Sequence, residues 1–139
     1  MKLQVLAAAV NQDAKTLAEN MNLKTAAVIV NQCDWYSYEE FMRGNGKVQC
    51  FSMKERGVGL NRNTALLHAT GDIVLFSDED IRFFDDYEEK VLNAFEKNKD
   101  ADVITFNFKV HESRATYYNN EERKIRWYNY GRYPTFAVA

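Results

Sequence analysis

Proline is almost missing from this chain: Pro134 stands alone among 139 residues, and glycine occurs six times. Such a sequence holds no Pro/Gly linker, no low-complexity tract and no internal repeat, so more than one domain is not expected. Cysteine is scarce as well. Cys33 and Cys50 are the only two, each follows a short apolar run, and they form no CxxC pair. That excludes a disulfide framework and predicts buried free thiols in a reducing compartment. No segment approaches the roughly 18 consecutive apolar residues of a membrane span. Lys2 followed by Leu3–Val10 is too short a run, and is interrupted by Gln4, so it reads as a first core strand rather than a signal peptide. A formal charge of −2 argues against a dedicated nucleic-acid binder.

What remains is a chain of typical domain length, 46% apolar, able to bury about two-thirds of its unfolded surface. Apolar runs and helical stretches alternate along it. Leu3–Val10 reads as a strand. Ala14–Met21 reads as a short helix with Asp13 as its N-cap. Ala26–Val30 is a second strand, ended by the polar run Asn31-Gln32-Cys33-Asp34. Tyr38–Met42 reads as a single helical turn and Val48–Phe51 as a short strand. Leu60–Ala69 is expected to be helical, with Ala65, Leu66 and Ala69 inward. Ile73–Phe76 is a strand. Asp85–Asn98 is the clearest helix, with Asp86 and Glu89 spaced like a capping box and Tyr87, Val91, Leu92 and Phe95 in one stripe. Val103–Phe108 closes the series as a strand. The alternation predicts an α/β domain with a mainly parallel sheet.

The charge is unevenly placed. Residues 72–102 carry eleven acids and four bases, whereas residues 103–139 carry six bases and three acids. The acids concentrate where Val74-Leu75-Phe76-Ser77 runs into Asp78-Glu79-Asp80. Strand alternation points Asp78 and Asp80 one way and Glu79 the other, so the two aspartates form a candidate ligand pair for a hard cation. In parallel α/β sheets ligands gather at the carboxyl ends of the strands. Asn11-Gln12-Asp13, Asn31–Asp34 and Asp78–Asp80 all fall at such ends.

Gly57-Val58-Gly59-Leu60-Asn61-Arg62-Asn63, followed by Gly71-Asp72-Ile73-Val74-Leu75-Phe76-Ser77-Asp78-Glu79-Asp80, resembles family 2 of the glycosyltransferases, the inverting group with the GT-A fold. The resemblance covers roughly residues 3–110, the donor-binding half of such an enzyme. It implies a GT-A-type, Rossmann-like three-layer sandwich. It also implies a nucleoside-diphosphate sugar as donor, a UDP-sugar first, and a glycan or lipid-linked acceptor. Asp78 and Asp80 would hold Mn²⁺ or Mg²⁺, Arg62 and Asp78 would face the diphosphate, and Asn11, Asn31 and Asp34 would line base and ribose. The implied location is cytoplasmic, at the membrane face where the acceptor is a lipid.

The chain departs from that pattern in places. Ala9-Val10-Asn11-Gln12 stands where the family has Pro-x-Tyr-Asn, Asn31 and Gln32 stand where it has two aspartates, and Asn61 replaces an alanine. No family-like catalytic base follows Phe108, and Glu121-Glu122 comes too early. The expected organisation is therefore a donor-binding domain over 1–115 and a basic, aromatic segment over 116–139 that begins an absent acceptor half. A fold cut off there would be inactive in transfer, and its apolar run Thr135–Ala139 would favour self-association.

Blander readings compete at each feature. Asp78 and Asp80 can cap a turn, Arg62 can be a surface cation, and His68 and His111 read as structural or isolated. The Tyr/Trp/Arg tail more often covers a core edge than stacks on bases. Two rival functions stay open at this stage: a non-catalytic nucleotide-binding module, and a phosphoryl-handling domain. The second is disfavoured because Asn11-Gln12 is not the acidic pair of a receiver domain and Asp78-x-Asp80 lies mid-chain, followed by Arg82.

Overall fold

Eight residues of Leu3–Val10, apolar except for Gln4, form β1, the centre of the sheet. The computed structural model describes residues 1–107, 122, 124–126 and 137–138. After β1 come α1 (Ala14–Asn20), β2 (Ala26–Gln32), β3 (Ser37–Arg43), β4 (Gly46–Met53) and α2 (Val58–Leu67). Then follow β5 (Ile73–Asp78), α3 (Tyr87–Lys97), β6 (Thr105–Phe106) and β7 (Ala137–Val138). The sheet order is β3-β4-β2-β1-β5-β7-β6. The four inner strands β4, β2, β1 and β5 are parallel. β3 and β7 run antiparallel to their neighbours.

Alternation along β1 divides the core in two. Leu3, Val5, Ala7 and Ala9 face one side, where Leu17 and Ala18 of α1 and Tyr87 and Val91 of α3 cover them. Leu6 faces the other side with Val28 and Val30, and Ala65 of α2 packs there. The result is the expected three-layer α/β sandwich. Gln4, the polar interruption in β1, is buried and satisfied: its Oε1 accepts from Thr70 N at 2.7 Å and Gly71 N at 3.0 Å.

Several local expectations hold. Asp13 caps α1 by accepting from Thr16 N at 2.9 Å, and the α3 stripe packs on the core. Both cysteines are buried and free. Others are corrected. Residues 38–42 are not a helical turn but the middle of β3, paired along its length with β4. Gly44-Asn45 joins these strands, with Gly44 at φ 57, a conformation in which a Cβ costs energy. In α2 the inward residues are Asn61 and Ala65, with Ala69 packed just beyond the helix end, whereas Leu66 is exposed. Asn61 sets that rotation because its Nδ2 donates to Val30 O at 2.7 Å. At α3 the capping box does not form: Asp86 makes no side-chain cap and instead pairs with Lys90 at 2.8 Å. Among the described residues the strand near residue 103 spans Thr105–Phe106, and Phe108 lies outside them. Ala137–Val138 is not a free edge, since β7 lies between β5 and β6.

The chain leaves β1 toward β2 on one side and later returns to place β5 on the other. Crevices at the carboxyl ends of strands where the winding reverses are where open α/β sheets bind ligands. Here the winding reverses between β1 and β5.

Candidate functional site

Parallel pairing brings the ends of β1, β2, β4 and β5 to one edge of the sheet, so the three polar clusters share it. Their contacts show how each is built. Asn31, near the end of β2, is buried. Its Oδ1 accepts from Gln12 N at 3.0 Å and its Nδ2 donates to Gln12 O at 3.0 Å. The amide thus behaves as a short piece of strand and pins the loop after β1. Asn11, in that loop, sits at φ 52, in the left-handed region that asparagine tolerates better than most residues. Asn11 N donates to Gln32 O at 3.0 Å, which ties the same loop a second time.

The acidic run differs from its sequence reading at one point. β5 ends at Asp78, and Glu79 and Asp80 form a turn closed by Ile81 N donating to Asp78 O. Strand alternation therefore does not govern Asp80. Glu79 leans back over β1, and its Oε2 accepts from Val10 N at 2.7 Å. Asp78 and Asp80 are both exposed at the crevice.

Arg62 comes from α2 and reaches the same place. Its Nη2 donates to Asp78 Oδ1 at 3.0 Å, with both side chains about half exposed. Gly57 occupies the N-cap position of α2 at φ 139, and Gln32 Nε2 donates to its carbonyl at 3.0 Å. The start of α2 is thereby fastened to the end of β2. Asn61 Oδ1 is buried there without a hydrogen-bond partner. This α2 segment and the Asp-x-Asp run were the two halves of the sequence pattern, and the Arg62–Asp78 pair joins them.

Asp34 lies farther out. Arg56 Nη2 donates to its Oδ1 at 2.9 Å. The Tyr36 hydroxyl donates to Glu55 Oε1 at 2.6 Å. That bond lowers the Glu55 carboxyl below its ordinary range and raises the Tyr36 phenol above its own. Lys54 sits 5.6 Å from the Tyr36 ring centre. Residues 34–36 are therefore strapped to 54–56. Sequence reasoning missed Arg56 and Glu55, and the strand parity of β4 together with its apolar-to-charged ending was the signal that could have found them. His68 stacks on Phe51 at 4.0 Å, in keeping with a structural part. His111 and Glu121 lie outside the described residues.

Among the described residues no three His, Cys, Asp or Glu side chains are close enough together to hold a metal ion. A closed protein cage is thus not formed there. No helix among the described residues is long and apolar enough to cross a membrane.

The model of the family described as "Glycosyl transferase family 2" matches residues 8–137. The chain belongs to glycosyl transferase family 2. The match extends past the region 3–110 that carried the resemblance, into the C-terminal segment. With it the three-layer, mostly parallel sheet is of the GT-A, Rossmann-like type. No curated protein and no solved structure matches the chain significantly.

Proposed function

We propose that this family 2 domain binds a nucleoside-diphosphate sugar, a UDP-sugar first, and passes the sugar to a hydroxyl of a glycan or lipid-linked acceptor. The observation that carries the reading is the Arg62–Asp78 contact at the switch point of the sheet. Asp78 and Asp80 would hold Mn²⁺ or Mg²⁺, which would supply positive charge for a departing diphosphate. Arg62, held beside Asp78, would offer its guanidinium to a phosphate oxygen. Asn11 and Asp34 are assigned to the base and ribose. Asn31 is assigned to the same pocket, acting through the Gln12 backbone that it holds.

In the transfer itself the acceptor oxygen bonds to the anomeric carbon. The bond from that carbon to the phosphate oxygen breaks, the diphosphate leaves with the electron pair, and the acceptor proton passes to a base. No described residue is assigned as that base. The division into a donor-binding unit, 1–115, and a basic, aromatic segment, 116–139, belongs to the same proposal.

Calorimetry with UDP in the presence of Mg²⁺ or Mn²⁺, and again with a chelator, tests the reading. Binding should appear only with the metal. Equal binding in both conditions, or no binding of any nucleoside diphosphate, would sink it. Nucleotide binding without sugar transfer across a broad acceptor mixture would reduce the chain to a binding module.

A further inference from the structure

Trp35 is half exposed, at 52%, and among the described residues its indole ring makes no hydrogen bond or aromatic ring contact. A bare indole is costly to leave in water, and tryptophan is enriched where a flat apolar partner docks. Contacts on both sides fasten its loop. Cys33, buried beneath it, places its Sγ 3.2 Å from the Trp35 carbonyl. On either side the Asp34–Arg56 pair and the Tyr36–Glu55 bond strap the loop to the segment after β4. Tyr36 is already engaged, by Glu55 at its hydroxyl and Lys54 over its ring. Among the described residues, Trp35 is the ring in this loop left open.

Its position also fits a task. The loop leaves the carboxyl end of β2, and Asp78 ends β5, with β1 between them. Two strand spacings separate these ends, about 10 Å. A ligand whose phosphates lie at Asp78 would carry its base toward β2. The loop after β1, the nearer neighbour, offers Asn11 and Gln12 and no aromatic ring.

We infer that Trp35 is the stacking platform for the nucleobase, mounted by Asp34–Arg56 and Tyr36–Glu55. The inference rests on the donor reading above. Beside its assignment to the base and ribose, Asp34 takes a positioning part here, through Arg56.

The test uses the full chain with Trp127→Phe as background, so that Trp35 is the remaining tryptophan. UDP with Mg²⁺ should change its emission. Trp35→Ala should weaken both UDP and uridine by a common factor of about tenfold or more, within the range of one base–aromatic stack. Mg²⁺-pyrophosphate affinity should stay unchanged, and Trp35→Phe should keep most of the UDP affinity. Wild-type affinity for UDP in Trp35→Ala, with metal-dependent binding otherwise intact, overturns the platform and leaves the donor reading standing. Equal losses for UDP and pyrophosphate also overturn it, because they would mean a general disturbance of the site. Failure of the unaltered chain to bind UDP overturns both.

Discussion

The amide of Asn31 holds the backbone of Gln12 from both sides. Removing it should leave the partly buried N–H and C=O of Gln12 unpaired. Asn31→Ala is therefore expected to cost about 2 kcal/mol of stability, read from urea unfolding, and to weaken UDP as the loop after β1 loosens. Unchanged stability would show that water replaces the amide freely. The carboxylates of 78–80 divide their work differently. Asp78→Asn or Asp80→Asn should lower metal-dependent UDP affinity at least tenfold, about 1.4 kcal/mol. Glu79→Gln should do much less, because Glu79 is turned to Val10 N and an amide oxygen can still accept there. Comparable losses at Glu79 and Asp80 would contradict that division. Asp13 was legible from the sequence since its partner, Thr16 N, is three residues away. The partners of Asn31 and Glu79 lie 19 and 69 residues away, and no local pattern encodes them.

Hairpin β3–β4 is the element that the sequence concealed. Tyr38, Phe41 and Met42 have a spacing that suits one helical turn, and only pairing with β4 makes them a strand. The clue was Gly44-Asn45-Gly46 between two stretches that tolerate alternation. Gly46 packs so closely on β2 that an added Cβ would lie 2.0 Å from Ala26 N. Gly46→Ala should therefore cost about 3 kcal/mol or more, the scale of an overpacked core, visible as a lowered urea midpoint. A neutral result would mean that the hairpin can lift off β2. Helix α1 supplies a second check. The Thr16 hydrogen bonds hold the Asp13 carboxyl below its ordinary value. A depressed carboxylate stabilises the fold above its unfolded pKa and loses that contribution as pH falls through the folded pKa. Asp13→Ala should then flatten part of the acid limb of a melting-temperature profile, below about pH 4.

Across the whole molecule the two thiols report on the integrity of the core. Cys33 and Cys50 are buried, and burial pushes the Cys50 thiol up to about 11. Neither should react with a thiol reagent at pH 8 until the chain is unfolded, when two equivalents should appear at once. Fast labelling of the native protein would contradict this packing. The sign for stability follows from the raised value. The contribution is complete below the unfolded thiol pKa, near 8.5, and is lost as pH climbs toward 11. Unfolding should accordingly become easier across that alkaline interval.

From sequence alone came the α/β class, the inward face of α3, the cap of α1, the burial of the cysteines and the gathering of three polar clusters at strand ends. Each of these depends on periodicity or on contacts within one turn, which the order of residues states directly. Tertiary structure alone decided the strand identity of residues 37–43, the inward turn of Asn61, the release of Asp80 from strand alternation and the strapping of Trp35. Those depend on which distant backbone offers a hydrogen bond, such as Val30 O to Asn61 or Val10 N to Glu79. A buried polar group must find its partner wherever the sheet has placed one, and that placement is a property of the assembled chain.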